Sequence, residues 1–141
     1  MEEVLTEKLL DELLSKPNVD SFIDENSFVR VNLADNLQQF LQEKNLSRKD
    51  VIHKTNINET HAYQIFSGDR GASRNKVLQL AIALNLNLRQ TNKLLHSAGV
   101  SALYCKDKHD AIIIFCIEHG YNLQQIDEEL FKFGEPTLSN E

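Results

Sequence analysis

The chain has 141 residues, 41% of them hydrophobic, and a formal net charge of -6 at pH 7; that is apolar enough for one folded core and excludes a chain disordered as a whole. With 5 Gly and 2 Pro in a background rich in Leu, Glu, Gln and Asn, helix formers dominate and the expected class is all-α. The longest apolar run, Ala111 to Ile117, is 7 residues, against roughly 20 for a bilayer span, and the acidic start MEEVLTEKLLDELL lacks the character of a secretory signal, so a cytoplasmic protein with no membrane partner is expected.

Val4 to Leu14 has apolar residues at 4, 5, 9, 10, 13 and 14, the rhythm of an amphipathic helix, and Pro17 ends it. Residues 21 to 31 follow no period, although Phe28, Val29 and Val31 fit a short extended piece. Asn32 with Asp35 predicts an N-cap, and Leu33, Leu37, Phe40 and Leu41 give a helical stripe as far as Lys44. Ser47 and Asp50 form a variant capping box that opens a short helix through Val51, Ile52 and Thr55. That helix must stop at Asn56, where a left-handed residue is expected because asparagine bears this conformation well.

Asn58 caps the next helix, expected over 58–67, with Ile57 tucked in before it. Ala62, Ile65 and Phe66 fall at i, i+3 and i+4 and face the core, which leaves Thr60, Tyr63, Gln64 and Ser67 on the opposite stripe with Glu59 at its start. Gly68 stops the helix and residues 69 to 72 make a loop. Ser73 caps a helix with Val77, Leu78, Ala81 and Leu84 inward, and Asn87 caps another through Leu88, Leu94 and Leu95 that ends at Gly99.

Farther on, Asp107 and Asp110 at one end and Gly120 at the other bracket an apolar run that fits a buried helix better than a lone strand. Asn122 caps a last helix through Leu123, Ile126, Leu130 and Phe131, closed by Gly134. The expected organisation is therefore an acidic extension with one helix over 1–31, a five-helix core over 32–99, a helical pair over 100–134 packed on that core, and a flexible tail over 135–141.

Charge is distributed unevenly. Lys and Arg against Asp and Glu number 4 against 10 over residues 1–46, 8 against 3 over 47–96, and 3 against 8 over 97–141. The middle third is net positive inside an acidic chain, and the field at a surface follows the local distribution rather than the whole-chain sum. Neutralising phosphates needs Lys and Arg on one face, while acidic flanks limit non-specific adhesion.

From Leu46 to Gly68 the order of residues resembles the helix-turn-helix of the phage-repressor and Cro-like regulators, often labelled the XRE family. Leu46 and Ser47 begin the first helix of the pair, Asn56 takes the place of the usual turn glycine, and QIFSG closes the recognition helix, with no gap. The flanking helices over 33–44 and 74–96 extend the likeness to about fifty residues. QIFSGDRGASRNK together with LYCKDKHDAIIIF also looks like a bacterial subgroup whose C-terminal helices continue directly from the motif. Ile52 departs from the family in standing where a small alanine is common, and Asn56 in replacing glycine.

The resemblance implies a sequence-specific transcriptional regulator, a repressor in the commonest case, that reads double-stranded DNA as a homodimer. Glu59, Thr60, Tyr63 and Gln64 take the base-reading positions by analogy: Gln64 can pair with adenine, Thr60 can meet thymine, and Glu59 can accept from cytosine. Arg48, Lys49, His61, Ser67, Arg70, Arg74 and Lys76 are the backbone-binding set, and Arg70 has a second option in the minor groove. The acidic N-terminal helix and the apolar C-terminal pair are the two segments available for dimerisation, with Ile112 to Ile117 expected in the core.

No enzyme, cofactor or metal is expected. Cys105, His109, Cys116 and His119 have ligand side chains, but on one helix His109 and Cys116 lie about 10 Å apart along the axis, too far for one ion. The two cysteines lack CxxC spacing, and Cys116 reads as a small core residue. Ser47, Asp50 and His53 are explained by capping rather than by nucleophilic chemistry. The competing function is a protein-docking module that keeps the fold without binding DNA.

Overall fold

The chain divides into two compact units, Met1–Arg30 and Val31–Glu141. The computed structural model describes residues 32 to 139, and Leu10, Asp11, Leu14 and Ser15 as helical residues of the first unit. The rest of the expected N-terminal helix and the extended piece at Phe28 to Val31 lie outside the described residues.

Within 32–139 the regular elements are seven α-helices: α1 Leu33–Lys44, α2 Arg48–His53, α3 Glu59–Ser67, α4 Arg74–Ala83, α5 Leu88–Ser97, α6 Lys108–Glu118 and α7 Leu123–Lys132. Each starts where a side-chain oxygen accepts the third backbone N–H of the helix. Asn32, Ser47, Asn58, Ser73, Asn87, Asp107 and Asn122 fill these places in turn. At Asn87 and Asn122 the bond is reciprocated by Gln90 and Gln125, whose side chains accept the cap's own N–H. None of the helices among the described residues is long and apolar enough to cross a membrane.

α1 packs on α3 and α5, and α2 on α3 and α4. The α4 helix is the hub: it also meets α5 on one side and α7 on the other. The expected inward set Val77, Leu78, Ala81 and Leu84 is buried, and so are Gln79, Leu80 and Ala83, because α7 covers a second face of the helix. Ala62 on α3 is fully buried, its short side chain allowing close helix packing.

Three expectations are corrected. Among the described residues, the left-handed ones outside glycine are Asn45 and Asn85, which end α1 and α4, and not Asn56. The α2–α3 turn needs no such residue because side chains satisfy it: the Thr55 hydroxyl donates to Ile52 O (2.8 Å) and accepts from Ile57 N (3.4 Å), while Asn56 N donates to Gln79 Oε1 (2.9 Å). The tail is not loose up to Ser139: Leu138 is fully buried, its N–H donates to Asp127 Oδ1 (2.7 Å), and its carbonyl accepts from Gln79 Nε2 (2.8 Å). The α6 helix is only partly enclosed, with Ile113 and Cys116 buried and Phe115 54% exposed. Phe131 on α7, next to the buried Leu130, is 80% exposed.

Candidate nucleic-acid interface

The α3 helix is amphipathic in the sense that matters for docking. Ala62, Ile65 and Phe66 are buried, Glu59, Thr60 and Ser67 are exposed, and Tyr63 and Gln64 lie between, with Tyr63 packed against the core. Asn58 fixes the start of the helix through its side chain on His61 N (3.2 Å). Its end is fixed by Gly68 in the left-handed region at φ 87°, and by Asp69 N and Arg70 N donating to Gln64 O. Both ends being capped, the backbone that carries this exposed stripe is held in one register.

The expected backbone-binding residues fall into three groups. Arg48 and Lys49 at the start of α2, and Arg70 just after α3, are exposed and form no ion pair with another described residue. Lys76 and His61 are half-buried and adjacent: Lys76 Nζ lies 3.4 Å from His61 Nδ1, and His61 Nε2 lies 3.5 Å from Gly71 O. A neutral ring with its proton on Nε2 serves both contacts and ties α3 to α4 across the loop. Ser67 and Arg74 are engaged internally. The Ser67 hydroxyl reaches Gln64 O (3.0 Å) and Asp69 Oδ2 (2.9 Å), a carboxylate that a phosphate would avoid.

Arg74 is corrected as a phosphate contact. Its Nη1 and Nη2 donate to the two oxygens of Asp110 at 2.8 Å each, Nη2 also donates to Ala102 O (3.1 Å), and Nε donates to Ser101 O (3.0 Å). Four of the five donors of a guanidinium are thus committed within the protein, in the two-pronged geometry that suits a carboxylate. The fork joins α4 to α6 and to the segment between α5 and α6. Burial by itself pushes the Asp110 carboxyl up, but the Arg74 hydrogen bonds, the Tyr104 N–H and the neighbouring positive charge outweigh it and hold the group below the usual carboxylate range. The hydrogen bond from Arg74 to Asp110 raises the guanidinium further above its ordinary value.

Ligand atoms of Asp107, His109 and Asp110 all lie within 4.8 Å of one another. Each residue has a partner within the protein: Asp110 accepts from Arg74, Asp107 Oδ1 accepts from Asp110 N (2.9 Å), and His109 Nε2 contacts Pro136 O (2.9 Å). The Cys116 thiol is pushed up to about 11 by burial and by the nearby Glu129 charge, which keeps it a neutral core group. His119 stacks on Phe115 with ring centroids 4.0 Å apart. The four side chains Cys105, His109, Cys116 and His119 thus serve other contacts or stand exposed.

Sequence reasoning missed Gln79, a buried polar residue in the middle of an apolar helix, 2% exposed. Its signal was present: a glutamine between Leu78 and Leu80 on a helix covered on several sides must find partners for both ends of its amide. Comparison with protein-family models, with curated proteins and with solved structures gave no match to this chain.

Proposed function

We propose that this chain is a sequence-specific transcriptional regulator of double-stranded DNA, a cytoplasmic repressor of the phage-repressor and Cro-like (XRE) type, which reads the major groove with α3 as a homodimer. The observation that carries this reading is the outward stripe of α3. Glu59, Thr60 and Gln64 keep exposed surface on a helix whose other side is buried, and exposed cations stand at the start of α2 and just after α3. Thr60 and Gln64 supply hydroxyl, methyl and amide groups that match base edges, and Glu59 an acceptor. Arg48, Lys49 and Arg70 bring phosphate-binding charge without a competing partner among the described residues. Tyr63, packed on the core, contributes at its exposed edge only.

A single recognition helix covers few base pairs, so two copies are required. The α6–α7 face is the proposed dimer contact: Phe115 and Phe133 are about half-exposed and flank an apolar cavity of about 370 Å³ that Ala111, Ile112 and Cys116 help to line. The same aromatic exposure favours the second reading, a protein-docking module without DNA.

Binding of mixed-sequence duplex DNA, measured between about 50 and 200 mM salt, separates the two. Groove binding predicts measurable affinity at low salt that falls steeply, and a salt slope reduced by about one per subunit in Arg48→Ala. Arg74→Ala leaves the slope unchanged in this account, since its charge is already neutralised by Asp110. Absence of binding at low salt, or affinity indifferent to salt, would exclude the DNA reading.

A further inference from the structure

The α2–α3 turn is held from an unexpected direction. Asp127 on α7 accepts the N–H of Leu138 (2.7 Å), the Leu138 carbonyl accepts Gln79 Nε2 (2.8 Å), and Gln79 Oε1 accepts the N–H of Asn56 in the turn (2.9 Å). The Asn56 side chain adds a longer bond to Ser139 O (3.4 Å). Each link orients the next. An amide presents an oxygen at one end and an NH₂ at the other, and Asn56 N–H needs the oxygen while Leu138 C=O needs the donor. Only one of the two orientations of the Gln79 amide satisfies both neighbours. Without the Leu138 carbonyl nothing holds the NH₂ end, and the other orientation of the amide would set that NH₂ against the Asn56 N–H and leave this part-buried donor unpaired.

We infer that residues 135 to 139 are a strap that sets the conformation of the α2–α3 turn through Gln79, so that docking and release of the strap control how α2 and α3 are presented to a ligand. The strap is suited to release. Leu138 is fully buried, but Glu135, Pro136, Thr137 and Ser139 keep exposed surface. The strap borders an open cavity of about 490 Å³ that Asn56, Leu123 and Phe131 also line, so the turn and the strap face the same space. Pro136 O, held by His109 Nε2 (2.9 Å), is a second attachment on the side of α6. In this arrangement Gln79 is a positioning residue: it touches no ligand and acts through Asn56.

The consequence for DNA rests on the function proposed above, whereas the mechanical link does not. The test is residue-resolved amide hydrogen exchange on the full chain in parallel with duplex binding, using Asp127→Ala. This substitution removes the acceptor for the strap and leaves every atom of the turn in place. Exchange at Leu138 and at Asn56 should both accelerate, by about tenfold or more, while the Leu84 amide, bonded to Leu80 O within the core, keeps its rate. Duplex affinity should fall severalfold, and Asp127→Asn, which retains an acceptor oxygen, should restore both readouts. Acceleration at Leu138 with Asn56 unchanged would overturn the inference, as would uniform acceleration that includes Leu84. Gln79→Glu gives a second handle: a carboxylate cannot donate to Leu138 but accepts from Asn56 in either orientation and so, unlike the amide, needs no strap to orient it; here the strap should loosen while Asn56 stays protected, and the reverse pattern would contradict the relay. If the parent chain binds no duplex, the DNA reading fails while the exchange data still decide the strap.

Discussion

Arg48 and Arg74 are the same residue type in the same basic stretch, yet only one of them is available to a ligand. What separates them is Asp110, 36 residues downstream of Arg74, whose carboxylate takes both prongs of the guanidinium. No local pattern announces that pairing, because it depends on how α6 returns against α4. The Gln79 relay has the same character, with partners 23 residues before it and 59 after it. The pairing has a pH signature. The Asp110 carboxyl is held below its ordinary value in the fold, so its stabilising contribution is complete above the ordinary carboxylate range near pH 4 and is lost as pH falls through the lower folded value. Asp110→Asn should therefore destabilise the protein by about 3 kcal/mol at pH 7, the low end for breaking a buried pair, because the Arg74 side chain keeps 25% of its surface in water. The gap between parent and variant should narrow below about pH 4, as read from denaturant unfolding at a series of pH values; a gap that does not vary with pH would show that the charge of Asp110 is not what stabilises.

At the scale of helices, what could be read in the chain was what is encoded locally. Seven cap side chains and the glycines at 68, 99, 120 and 134 marked helix ends, and the apolar stripes of α1, α3 and α5 identified their buried faces. The α4 helix shows where that method stops: its stripe predicted one buried face, and the fold buries others because α7 supplies a second surface. The turn at Asn56 shows it again, since resemblance to a motif carried a backbone conformation that the Thr55 hydroxyl and Gln79 amide make unnecessary. Exposure on α6 and α7 was the other surprise. A run as apolar as Ala111 to Ile117 reads as core throughout, but a helix packed on one side leaves part of its circumference in water, and here that part includes Phe115. If this face joins two copies, Phe115→Glu should shift the protein from dimer to monomer in sedimentation while its helical content is kept, since a half-exposed side chain contributes little to the fold. A variant that remains dimeric would move the interface elsewhere.

For the whole molecule, the proposed function requires an acidic chain to address a polyanion. Its positive residues are concentrated between Arg48 and Lys93, and of these Arg48, Lys49 and Arg70 remain exposed while Arg74 is withdrawn into the fold. On the proposed function, a protein so built would bind phosphate at a few points and would have to obtain its selectivity from base edges, read twice through two-fold symmetry. Selection of bound sequences from a random pool of duplex DNA tests this most directly. The account predicts an enriched inverted repeat with half-site centres about one helical turn, roughly 34 Å, apart. It also predicts that the Gln64→Ala protein selects the same repeat with one position in each half-site relaxed, a loss of about 1–3 kcal/mol in discrimination there. A pool that shows no enrichment, or a repeat that Gln64→Ala selects unchanged, would contradict the assignment of α3 as the reading helix.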